Sequence, residues 1–114
     1  MANKQKGEVA LGEYTLRYSI NALCELEDAS DMSAVQLAMS LSDEETFKIK
    51  SLRLMVWAGL IDNHENVSIK QAGEIISDFG VAKTMEAITK AFEAGMPDAE
   101  DGEKPDEGKI KQAS

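Results

Sequence analysis

The chain has 114 residues, of which 21 are Asp or Glu and 12 are Lys or Arg, giving a formal charge of −9 and a pI near 4.5. That length, with 43% hydrophobic residues, allows one domain with one modest core and excludes a large enzyme. The negative balance repels phosphate backbones and anionic headgroups, so neither nucleic acid nor a membrane is an expected partner, whereas a basic or neutral protein surface is.

Residues 1–6 are polar and read as a flexible N-terminus. They run into Gly7 and Glu8, where a secretory leader would need an apolar stretch of about 7 to 15 residues, so a cytoplasmic location is expected. The single cysteine cannot close an intrachain disulfide, which also fits a reducing compartment. The folded domain is expected over residues 7–94. It opens with Glu8 to Leu11 and Tyr14 to Tyr18, two alternating runs joined by Gly12 and Glu13, with Gly first as a type II′ hairpin turn prefers. Tyr14, Leu16 and Tyr18 share one face that Val9 and Leu11 extend, and a two-stranded ribbon needs helices to lie on.

Helix one is predicted from Ile20 to Asp28, with Ser19 as N-cap and Ile20, Leu23, Cys24 and Glu27 on one side. Ser33 with Gln36, Ser42 with Glu45 and Ser68 with Gln71 have capping-box spacing and mark three further helix starts. Helix two then covers Ala34 to Leu41, with Val35, Leu37, Ala38 and Leu41 to one side. Helix three covers Asp43 to about Ile61, with Asp43, Glu44 and Glu45 at the positive end of its dipole. Its second half is apolar nearly all round, which marks a helix surrounded by others. Helix four, Ile69 to Phe79, carries a stripe of Ile69, Ala72, Ile76 and Phe79 and ends at Gly80, suited to a left-handed cap. Helix five, Val81 to Ala94, carries Val81, Met85, Ile88 and Phe92 and stops before Gly95 and Pro97. Residues 95–114 hold six acids, three lysines, three Gly and two Pro, a composition that buries too little apolar area to offset the entropy of ordering. The predicted fold is mainly α: an N-terminal β-hairpin packed on a compact bundle of about five helices, with a disordered acidic C-terminal tail.

No constellation points to catalysis, a cofactor or a metal. A calcium loop starting at Asp28 would place Ser33 and Met39 where Gly and a bidentate Glu are needed, and one starting at Asp62 would place Val67 and Gly73 there. His64 lies in a polar link with no second His or nearby Cys and reads as an exposed loop residue. Cys24 has Glu25 and Glu27 beside it and reads as core packing. Trp57 reads as a core anchor. Surplus apolar surface remains on helix two, where Val35, Leu37, Met39 and Leu41 fall within seven residues and either close the core or serve a partner. Met32 and Met39 add adaptable side chains.

The run Ala2-Asn3 through Lys6-Gly7-Glu8-Val9, then Tyr14 to Arg17, then Asn21 to Asp28 resembles the gene transfer agent and siphophage tail assembly chaperone family, also labelled phage tail tube proteins. The resemblance continues through Leu52-Arg53, Val56 to Leu60, Ser68, Ala72 to Ile76, Phe79-Gly80, Ala87 and Ala91-Phe92, and so covers nearly the whole folded body. The hairpin turn is shorter here than is usual in that family. The resemblance implies a cytoplasmic protein of a prophage or gene transfer agent that binds the tape measure protein during tail assembly and is absent from the finished particle. Leu37, Leu41, Met85 and Phe92 are then the expected contact residues. Partners would be the tape measure protein, the tail tube protein or further copies of the chain. A structural tail component and a small acidic adaptor or inhibitor of a host protein stand as alternatives.

Overall fold

The computed structural model describes residues 8–95. The N-terminus predicted to be flexible and all of the predicted tail beyond Gly95 lie outside the described residues. Strands β1 (Val9–Leu11) and β2 (Tyr14–Leu16) pair antiparallel, Val9 opposite Leu16 and Leu11 opposite Tyr14. The turn has a positive φ at Gly12 and none at Glu13, as a II′ turn requires. A side chain at Gly12 would start 2.3 Å from the Phe79 ring, so the turn is pressed directly on the end of helix α4 (Ile69–Phe79). Leu11, Leu16 and Tyr18 are buried and Ala10 is exposed, the alternation expected of a ribbon with one inner face.

Helix α1 (Ile20–Ser30) is capped by Ser19, whose hydroxyl accepts the Ala22 N–H at 3.1 Å. Its buried side is Ala22, Leu23 and Leu26, so the stripe is rotated from the predicted one and leaves Ile20 and Cys24 exposed. Cys24 is therefore not core packing, because Leu26 turns its own side inward at the expense of the Cys24 side. Glu27 also has an unforeseen role: its carboxylate accepts the Ala34 N–H at 2.7 Å, capping the first turn of helix α2 (Ala34–Leu41) from the preceding helix.

The boxes of Ser33 with Gln36 and Ser68 with Gln71 both form. The third does not. Ser42 closes α2, the Asp43 carboxylate accepts the Glu45 N–H at 3.0 Å, and the Asp43 carbonyl accepts from Thr46 and Phe47. An Asp that bonds its own backbone two residues on competes with helix, and the result is one isolated turn. Helix α3 (Ile49–Leu60) consequently starts at Ile49, after an extended Lys48, and the three acids sit in a loop instead of on its dipole.

As predicted, α3 is the central helix. It touches α1, α2, α4, β2 and helix α5 (Val81–Gly95), and buries Leu52, Met55, Val56, Ala58 and Leu60. Trp57 packs against this core while half-buried. Gly80 takes φ 88° and ψ 154°, positive as foreseen but extended where a left-handed cap was expected, and α5 starts at the next residue. Thr84, Ala87, Ile88 and Ala91 form the buried side of α5, and Val81 is exposed. Among the described residues no helix is long and apolar enough to cross a membrane.

His64 differs from its reading as an exposed loop residue. Its Nε2 accepts the Thr15 N–H at 3.0 Å, and its ring meets Tyr14 edge-on with centroids 5.5 Å apart. Together with the bond from the Arg17 N–H to the Gly59 carbonyl at 2.8 Å and the Arg17–Asp62 ion pair at 3.4 Å, it ties the hairpin to the end of α3. His64→Ala should cost about 1–2 kcal/mol in urea denaturation by orphaning a half-buried N–H. His64→Gln, whose amide oxygen can accept the same hydrogen, should recover part of that loss.

Candidate functional site

Helix α2 carries no charged residue, and its burial is strongly two-sided. Ala34, Leu37 and Leu41 turn inward at helical spacing, which leaves Val35 (46% exposed) and Met39 (66% exposed) in line, four residues apart, on the outside. Leu37 and Leu41, expected as contact residues, are thus core side chains at 1% and 7% exposure. The packing partners α1 and α3 decide this. Apolar residues occur on every side of this short helix, so its own periodicity does not choose the inner one.

Between α2 and α5, over α3, lies an open cavity of about 310 Å³. Met39, Leu41, Met55, Met85, Ile88 and Phe92 line it, so three of the chain's six methionines meet here. It brings together three of the four expected contact residues, Leu41 at its floor and the half-buried Met85 and Phe92 on its α5 wall. The fourth, Leu37, lines a wider groove of about 940 Å³ on the other side of α2, with Met32, Met39, Leu54 and Ile69. Met39 borders both. It belongs to the surplus apolar surface read from the sequence of this helix but not to the four expected contact residues, and its spacing of four from Val35 singles it out once Ala34, Leu37 and Leu41 are known to face inward.

No family model, curated protein or solved structure matches the chain. The site is therefore read from its own chemistry. Among the described residues, Glu93 is the one charged residue lining the α2–α5 cavity, whereas the wider groove sets Asp43 and Glu45 against Lys48, Lys50 and Arg53. Unbranched thioethers adjust their rotamers to fit different apolar side chains, so a Met-lined groove accommodates a partner whose residues vary along its length. Among the described residues no group of three or more His, Cys, Asp or Glu is placed to hold a metal ion. What the cavity offers is dispersion contact and dehydration of an apolar side chain, with the Glu93 carboxylate beside it.

Proposed function

We propose that the chain is a non-enzymatic assembly chaperone of a phage or gene transfer agent tail, acting in the cytoplasm of the bacterial host. Its client is the tape measure protein, a long helical chain whose apolar stripes invite aggregation until tail tube subunits cover them. The observation that carries this reading is the exposed Val35–Met39 ridge beside the methionine-lined groove between α2 and α5. An amphipathic helix laid in such a groove buries residues at i, i+4 and i+7 against it. Many weakly held copies along one client act by avidity, which suits a cover that tube subunits later displace. The net negative charge keeps the loaded client dispersed.

Coexpression with the tape measure protein should keep that client soluble and copurify the two. Met39→Asp should abolish copurification while costing the chaperone only about 1 kcal/mol of its own stability, because the side chain is mostly in solvent and the loss is that of a poor helix former with a carboxylate in the last turn of α2. Aggregated client beside well-expressed wild-type chain would contradict the proposal. Mass spectrometry of mature particles separates it from a structural tail role, since a chaperone is missing there and a tube subunit is abundant.

A further inference from the structure

Ser51, in the first turn of α3, is 7% exposed, yet its hydroxyl has no hydrogen-bond partner among the described residues. Thr84, the other polar side chain buried among the described residues, donates to the Gly80 carbonyl at 2.7 Å. A buried hydroxyl is normally paired, whether by protein, water or a bound ion. Ser51 lines the wider groove beside α2, together with Lys48, Lys50, Arg53 and Leu54. Every Cα–Cβ bond of a helix tilts toward its N-terminus, so the Ser51 side chain is directed to the start of α3. That start is open. Lys48 stands at the N-cap position without a side-chain cap, the first turn holds no acid, and the Ile49 and Lys50 N–H groups have no acceptor among the described residues. No ion pair among the described residues includes Lys48, Lys50 or Arg53.

We propose that the start of α3, inside the wider groove, is a binding site for an oxyanion, a phosphate or carboxylate group. Its oxygens accept from the Ile49 and Lys50 N–H groups and from the Ser51 hydroxyl, at the positive end of the helix dipole. Lys48 and Lys50 sit at that same end, where a cation is unfavourable, and a bound anion offsets both the dipole and the lysines. The charge of the groove does not by itself select an anion, since Asp43 and Glu45 lie in the lining against the three cations. The selection comes from the unpaired groups: the two N–H groups can only donate, and the buried hydroxyl has a hydrogen to give. The Asp43 carboxylate is already engaged by the Glu45 N–H at 3.0 Å and leaves these donors to a ligand. None of Lys48, Ile49, Lys50 and Ser51 lines the α2–α5 cavity, so this site stands apart from the client-binding reading.

The test is amide NMR of the full chain, titrated with inorganic phosphate in exchange for chloride at constant ionic strength. The Ile49, Lys50 and Ser51 amide signals should move along a saturable curve, while those of Ile69 and Lys70, at the serine-capped start of α4, should move little. A parallel titration with acetate separates the two sources: tighter binding of phosphate assigns the site to a phosphate group, tighter binding of acetate to a carboxylate, and either upholds it. Ser51→Ala removes an unpaired hydroxyl and adds a better helix former, so it should fold at least as stably as wild type. It should nevertheless bind the anion at least about threefold more weakly, the loss of one hydrogen bond. A serine with a merely structural role would show the reverse, a loss of stability with unchanged binding. Lys50→Gln, at an exposed position, should weaken binding by about twofold or more with no loss of fold. No saturable shift with either anion, equal shifts at the start of α4, or wild-type affinity in either variant overturns the proposal.

Discussion

Tyr18→Ala should cost about 3–5 kcal/mol, the loss typical of emptying a large aromatic site. A domain of this size has roughly 5–15 kcal/mol in total, so the variant should be largely unfolded in modest urea. Tyr18 follows β2 and joins the hairpin to α1. It is 1% exposed, donates its hydroxyl hydrogen to the Met55 carbonyl in the middle of α3, and meets the Phe92 ring edge-on at 5.6 Å. One side chain therefore links hairpin, α3 and α5. Tyr18→Phe keeps the ring and removes only the hydrogen bond, so it should cost about 1 kcal/mol. Equal losses for the two variants would show that the bond, and not the packing, holds these elements together. Burial raises the Tyr18 pKa well above its ordinary value of 10.0. The unfolded chain gives up that proton as pH passes about 10 while the folded chain keeps it, so the folded state binds more protons there and stability falls with rising pH. Below that value the contribution is fully present. Denaturation midpoints taken above pH 10 should fall less steeply for Tyr18→Phe than for wild type.

Gly59→Ala should destabilise by about 1–3 kcal/mol, although an Ala in place of Gly inside a helix ordinarily stabilises it. A Cβ at this position of α3 would lie 3.0 Å from Leu16 Cδ2 and 3.0 Å from the Tyr18 ring and hydroxyl, both on buried side chains with no room to withdraw. The same close approach lets the Arg17 N–H reach the Gly59 carbonyl at 2.8 Å, so the hairpin is bonded directly to helix backbone. Gly73→Ala in α4 is the control. The new methyl would meet only Arg53, at 3.2 Å, and that exposed side chain can move aside. Urea midpoints should therefore move in opposite directions, down for Gly59→Ala and level or up for Gly73→Ala. A stabilised Gly59→Ala would mean that the hairpin does not sit this close to α3.

The features that sequence made legible are those whose causes are local. Ser33 with Gln36 and Ser68 with Gln71 cap helices using residues three apart, and Gly12 with Glu13 fixes the hairpin. The apolar second half of α3 announced the central helix because a helix surrounded on all sides has no polar side to keep. The failures have causes that spacing does not encode. Ser42 and Glu45 have the same box pattern, but Asp43 between them offers the backbone a competing turn. The inner side of α1 and of α2 is chosen by neighbours, which is why Cys24 turned outward and Leu37 inward. His64 sits in a polar link, and its backbone partner Thr15 is 49 positions away in the chain. Of the candidate site, Met85 and Phe92 were accessible from the period of α5. The exposed ridge of α2 required knowing which side of that helix the core occupies.

The claim on which the functional account turns is that a helical client seats on the methionines of the α2–α5 groove. Methyl NMR of the full chain, with its methionines isotopically labelled, tests it directly. Titration with an apolar-striped helical segment of the tape measure protein should shift or broaden the Met39 and Met85 methyl signals strongly. Met32, which lines the wider groove and not the α2–α5 cavity, should change little. Saturating amounts of such a segment that leave the Met39 and Met85 signals where they were would contradict the account.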